Sequence, residues 1–185
     1  MLDMSRIQSS VEQDLLAVEG LVDSMYEKNF SEYFVGAREM FTRLDSKIHP
    51  ITDEDLNWIL IDLPVKLFDV SEKLAAFKMK LETLKLLLKK KETDLTANAK
   101  ENGYKASEIK AAVNAETIED QLLINAYASV ISRVESEVTF SKELIMSGKK
   151  IWTARRDTDA SNPVSEIPSE LPEYQIKGKD YIKGV

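Results

Sequence analysis

Few residues of this 185-residue chain have the types and spacing to do chemistry. The single histidine, His49, can serve as a general base but leaves no room for a paired-histidine metal site. It directly precedes Pro50, where a turn between helices is the competing reading. Asp53, Glu54 and Asp55 make a carboxylate run of the kind that holds a divalent cation. The same run follows Thr52, so it also reads as the acidic first turn of a helix, with Asp55 returning a hydrogen bond to the cap. Ser147-Gly148-Lys149-Lys150 resembles part of a phosphate loop. Such a loop needs glycine where Glu143 stands and a hydroxyl where Lys150 stands. The chain has no cysteine, which removes thiolate ligands, thiol nucleophiles and disulfides. The inventory predicts a protein that is not an enzyme, with no cofactor and no metal.

Charge is the stronger signal. The formal net charge is −7, yet it is unevenly placed. Residues 1–55 carry five bases and twelve acids. Residues 78–110 carry nine lysines and five acids, a net +4, and include Lys78, Lys80, Lys85, Lys89, Lys90, Lys91 and Lys105. Residues 111–141 return to −4, and 142–156 reach +4 again in the stretch GKKIWTARR, with Lys149, Lys150, Arg155 and Arg156 around Trp152. Two basic zones on an acidic protein can each meet phosphate, with an aromatic such as Tyr104 stacking on an unpaired base. Each can equally be a solvated helix face or the match for acidic protein surface.

Helices must position these charges. From Leu56, apolar residues recur at alternating spacings of four and three: Leu56, Leu60, Leu63, Leu67, Val70, Leu74, Phe77, Leu81, Leu84 and Leu88, with Leu95 beyond. That is a heptad seam. A helix from Thr52 to about Glu101 would be roughly 75 Å long. Pro64 lies inside it and predicts a kink near Ile61. A second stripe, Trp58, Ile61, Val65 and Phe68, lies away from the seam. Each such side chain is worth about 1.5–3 kcal/mol when buried, so further helices or another subunit should cover it.

Asn102-Gly103 predicts the stop of the long helix, and Ser107 the cap of the next. That helix returns to between Gly148 and Arg156 along Ile109, Val113, Leu122, Leu123, Tyr127, Val130, Val134, Val138, Ile145 and Trp152, with Glu116, Glu119 and Asp120 interrupting it. A short connection makes the pair antiparallel, which brings GKKIWTARR back beside Asp53–Asp55 and sets Trp152 near Trp58. Two shorter helices precede the hairpin. One carries Ile7, Val11, Leu15, Val18 and Val22, and the other Phe30, Phe34, Ala37, Phe41, Leu44 and Ile48. The segment from Asp157 holds Pro163, Pro168 and Pro172 without apolar periodicity, which predicts a disordered tail.

The expectation is an all-α protein built as a long antiparallel, coiled-coil-like helical hairpin. It has an acidic, aromatic-rich helical pair over 1–50, the hairpin over 51–156 as oligomerisation and DNA-binding core, and a disordered tail over 157–185. The N-terminus lacks the pattern of a secretory signal and no apolar run reaches the ~18 residues of a membrane span, so a soluble cytoplasmic protein is expected.

The stretch YKASEIKAAVNAE, Tyr104–Glu116, with the following helix through SGKKIWTARR, resembles the phage recombination mediators typified by UvsY. The resemblance covers about residues 78–156. It rests on Tyr104, Ser107, Glu108 and Lys110, the apolar helix after them, and Ile145, Ser147, Gly148 and Arg155 on the approach to a basic end. It implies a small helical protein, phage-encoded and acting in the host cytoplasm. Such a protein binds single-stranded DNA and loads a RecA-like recombinase onto strands coated with single-strand binding protein. It also implies rings of six or seven subunits, with the helix after Tyr104 as the assembly element. The family's basic Leu-Lys-x-Arg-Leu stretch falls on Leu84 to Leu88, where Lys85 matches and Leu87 replaces the arginine; Lys89, Lys90 and Lys91 follow. The DNA-binding set expected is therefore Lys78, Lys80, Lys85, Lys89, Lys90, Lys91, Tyr104 and Lys105. The expected subunit interface is Trp58, Ile61, Val65, Phe68, Lys149, Lys150, Trp152, Arg155 and Arg156. The alternative is a coiled-coil scaffold or adaptor whose basic zones serve assembly without nucleic acid.

Overall fold

The computed structural model describes residues 4–46 and 50–161, with side chains for 15–44 and 50–158. Among these the protein is helical apart from short turns, with no strand. Helix α1 spans Met4–Asn29, α2 Ser31–Ser46, α3 Asp53–Asn57, α4 Leu63–Glu101 and α5 Ala106–Ser161. A π-helical turn, Trp58–Asp62, joins α3 to α4, so Asp53 to Glu101 form one uninterrupted rod of 49 residues. His49 and Ile48 lie outside the described residues, as does the chain beyond Ser161 that was expected to be disordered; α5 itself runs five residues past the expected end at Arg156.

The rod begins at a full capping box. The Thr52 hydroxyl accepts from the Asp55 N–H at 3.1 Å, and the Asp55 carboxylate accepts from the Thr52 N–H at 2.8 Å. Arg43 of α2 adds a 2.8 Å bond to the same carboxylate, which ties α2 to the start of the rod. Burial works to raise the Asp55 carboxyl, but the bonds from Thr52 and Arg43 outweigh it and hold the group below its usual range.

Pro64 produces a widened turn where a kink near Ile61 is expected. Its ring would press on the carbonyl of Leu60, and it offers no N–H to that carbonyl. The chain answers by adding a residue to the turn: the Leu63 N–H reaches back five residues to the Trp58 carbonyl. The leucine seam passes through unbroken, with Leu56, Leu63, Val70, Phe77 and Leu81 buried and Leu60, Leu67, Leu74, Leu84, Leu88 and Leu95 half-buried.

At the far end Gly103 takes φ 75°, the left-handed region that glycine enters freely. Its N–H bonds the Lys100 carbonyl at 3.0 Å and the Tyr104 N–H bonds the Ala99 carbonyl at 3.1 Å, the paired bonds of a Schellman stop. The cap of α5 differs from expectation. Ser107 lies within the first turn, and the Lys105 N–H instead donates to the Glu108 carboxylate at 2.9 Å. An acid three residues on satisfies the exposed donor, so no hydroxyl is needed.

Helices α4 and α5 pack as the antiparallel hairpin, and α1 and α2 lie on its proximal half. One core joins Tyr26, Phe30 and Phe34 to Val70, Phe77, Leu81, Val130, Ile131 and Val134. Phe77 meets Phe30 edge-on at 5.0 Å and lies 5.3 Å from Tyr127. A second core joins Ala37, Ile59, Leu63 and Leu144. Beyond Leu81 no residue of α4 is buried, and between residues 106 and 125 only Ile109 and Thr117 of α5 are. The hairpin is thus a packed base with a slender distal arm.

Candidate nucleic-acid interface and assembly surfaces

The first basic zone starts at the edge of the base, with Lys78 and Lys80, and runs out along the distal arm. Three of its lysines are bound to carboxylates: Lys78 to Glu135 at 2.6 Å, Lys85 to Glu82 at 2.8 Å, and Lys91 to Asp120 at 2.7 Å. The Asp120 bond raises the Lys91 ammonium above its usual range. Lys80, Lys89, Lys90, Lys100, Lys105 and Lys110 are exposed and form no ion pair among the described residues. Tyr104 sits at the turn with its ring exposed. Of the DNA-binding set expected from sequence, Lys80, Lys89, Lys90, Tyr104 and Lys105 are therefore open to an external ligand, whereas Lys78, Lys85 and Lys91 already face acids. Glu116, Glu119 and Asp120, which interrupt the apolar stripe of α5, lie on the stretch of helix that returns beside these lysines.

The second basic zone is arranged differently. The hairpin does bring GKKIWTARR back to the start of the rod. Arg155 donates to the Asp53 carboxylate at 2.6 Å and to the Ile51 carbonyl. The Arg156 guanidinium lies 5.2 Å above the Trp152 ring. Asp53, Trp152, Arg155 and Arg156 line an open cleft of about 680 Å³ with Leu56 and Asn57. Lys149 and Lys150 are exposed and form no ion pair among the described residues. The two tryptophans do not form the pair expected. Trp58 turns to α2, where its Cζ2 lies 2.5 Å from the position a Cβ would take on Gly36. Lys66 covers its ring from outside at 5.6 Å.

Gly148 explains its own place in this motif. It is buried, and a Cβ there would lie 2.7 Å from Cγ2 of fully buried Ile59 in the π turn. The widened turn bulges, and two glycines, Gly36 on α2 and Gly148 on α5, make room for it on either side. Thr117, Ala126 and Ser141 are likewise fully buried small residues on α5. Hydropathy patterning passes over such positions, and their signal is spacing: Thr117, Ser141 and Gly148 continue the three-four rhythm of Val113, Val134, Val138 and Ile145.

A polar cluster that patterning also misses locks α1 and α2 to α5. The Tyr26 hydroxyl accepts from Arg38 at 2.6 Å, and Arg38 pairs with Glu137. Arg133 lies 3.8 Å over the Tyr26 ring and binds Asp23 at 2.8 Å. Burial first, and then the Glu137 charge, push the Tyr26 phenol up, while the Glu137 bond raises Arg38. Tyr26 is thus neutral and Arg38 charged at any ordinary pH, so the cluster is a fixed clamp.

The second apolar stripe is covered only at Trp58. Ile61, Val65 and Phe68 are 61%, 61% and 65% exposed. The stripe also runs further than its first four members suggest. The same spacing reaches Glu72, Ala75, Met79, Glu82 and Leu86, all exposed, with Met79 at 71% and Leu86 at 70%. The two glutamates conceal it in the sequence.

Among the described residues no group of histidine, cysteine or carboxylate side chains is placed to hold a metal, and no helix is long and apolar enough to cross a membrane. No protein-family model matches the chain, and neither curated proteins nor solved structures give a match.

Proposed function

We propose that the protein is a non-enzymatic DNA-binding factor that holds single-stranded DNA along the distal arm of its hairpin. The observation that carries this reading is the contrast in charge satisfaction. The arm presents Lys89, Lys90, Lys100, Lys105 and Lys110, with Lys80 at its root, without ion-pair partners among the described residues, beside an exposed Tyr104. Lysines of this kind attract a phosphate backbone, and an exposed ring at the tip favours unstacked bases over duplex. The resemblance to phage recombination mediators extends the proposal to the loading of a RecA-like recombinase onto strands covered by single-strand binding protein, in the cytoplasm of a host cell.

A scaffold is the second reading. It is favoured by the apolar stripe on α4 and by the three arm lysines already bound to carboxylates. Fluorescence anisotropy with an unstructured oligonucleotide and a duplex, across a salt series, separates the two. Phosphate contact predicts log–log salt dependence with a slope of about −0.7 per contact on a single strand, and tighter binding of the single strand than the duplex. Absence of binding at low salt would leave the scaffold.

A further inference from the structure

The outer face of α4 is self-complementary. Its exposed stripe follows a heptad pattern from Ile61 to Leu86, on the side of the rod opposite the leucine seam. Charge along the rod changes sign at the centre of that stripe. Residues 53–73 carry six acids and two lysines, and residues 74–94 carry six lysines and three acids. Asp62, Asp69 and Glu72 form no ion pair within the described residues.

We infer that this face packs antiparallel against the same face of a second copy of the chain, about a two-fold axis between Lys73 and Leu74. In that register Ile61 comes level with the partner subunit's Leu86, and Phe68 with the partner subunit's Met79. Asp62 comes level with the partner subunit's Lys85, and Asp69 with the partner subunit's Lys78; within one chain Lys85 and Lys78 are bound to the exposed carboxylates of Glu82 and Glu135, so the dimer would add a second acid beside each. The small Ala75 falls beside the axis, level with the partner subunit's Glu72, and Val65 comes level with the partner subunit's Glu82. Parallel packing would bury the same apolar residues but set acid against acid at one end and lysine against lysine at the other. A second copy suits the face better than an unrelated helix, because two of the four layers, Ile61 with Leu86 and Phe68 with Met79, are apolar on both sides and the sign of the charge reverses with the rod. The assembly element is then α4, whereas the helix after Tyr104 is occupied by packing on α4 within its own chain. The inference does not depend on DNA binding. Its consequence is an elongated dimer whose two arms point to opposite ends.

The absence of cysteine makes the register directly testable in the full-length chain. Chains carrying Ile61→Cys alone, Leu86→Cys alone, or both are oxidised and resolved by size under denaturing conditions. The double variant should cross-link to a covalent dimer while each single variant stays at the mass of one chain. Cross-linking of both single variants would show parallel packing and overturn the inference, as would absence of cross-linking in all three. A second arm uses Phe68→Glu with Met79→Glu, at positions exposed in the single chain. Light scattering at micromolar concentration should show the mass of two chains for the unaltered protein and half that for the variant, with helical circular dichroism unchanged. An unaltered protein at the mass of one chain, or a variant that keeps the mass of two, would contradict the proposal.

Discussion

The two basic zones of the hairpin each carry a net +4 and use it in opposite ways. At the base, Arg155 is bound to Asp53 and Ile51, and Arg156 covers Trp152, so two of the cations of GKKIWTARR serve the fold. Along the first basic zone, from Lys78 to Lys110, three lysines meet carboxylates and six do not. A run of bases in a sequence says little until the helix that returns beside it is known. The same contrast holds for packing, since α1 and α2 stiffen the base and no residue of α4 is buried beyond Leu81.

Truncations break this comparison most severely. Phe77 touches Phe30 and Tyr127 at the centre of the base, so Phe77→Ala should cost about 3–5 kcal/mol in denaturant unfolding. Leu95, half-buried on the same seam in the arm, should cost only about 1 kcal/mol when changed to alanine. Equal losses would mean that base and arm are one cooperative core.

Next come the glycines flanking the π turn. Alanine is favoured over glycine in a helix by about 1 kcal/mol. At Gly148 the added methyl meets fully buried Ile59 at 2.7 Å, and overpacking of this kind costs about 1–3 kcal/mol. Gly148→Ala should therefore lose stability despite the better helix former. Gly20, with nothing near its Cβ position, should gain from the same change. A stabilising Gly148→Ala would show that the turn is not held between α2 and α5 as described.

A smaller effect tests the capping box. The Asp55 carboxyl titrates lower in the folded protein than its ordinary 3.8, so its contribution is complete above that value. It is lost as pH falls through the lower folded value. Asp55→Asn should reduce stability at neutral pH and flatten the decline on acidification below about pH 4. An unchanged acid limb would place that decline on other carboxylates.

How much of this was legible depended on whether a position announces itself by hydropathy. The leucine seam, the Gly103 stop, the Thr52–Asp55 cap and the return of residues near 150 to residues near 56 were all readable, because each rests on a strong local signal. Ser107 misled, because a hydroxyl at a helix start looks like a cap, and Glu108 takes part of that role from within the helix. Thr117, Ser141, Gly36 and Gly148 were silent, since small residues mark close approach and not apolarity. The stripe on α4 was read only as far as Phe68, and beyond it Glu72 and Glu82 interrupt the hydropathy. The lysines could be counted but not sorted, because the carboxylates that bind Lys78 and Lys91 lie 57 and 29 residues away in the chain.

The central claim is that the arm, and not the base, meets DNA. Its most direct test is the salt slope of single-strand binding in three full-length proteins: unaltered, Lys89→Glu with Lys90→Glu and Lys105→Glu, and Arg155→Ala. The arm variant should lose affinity and reduce the slope by roughly 0.7 for each phosphate contact removed, with subunit number and helicity preserved. Arg155→Ala should cost about 1 kcal/mol of stability or less, since the pair is partly exposed, and leave the slope unaltered. An unchanged slope in the arm variant, or a fall in the slope of Arg155→Ala, would contradict the account.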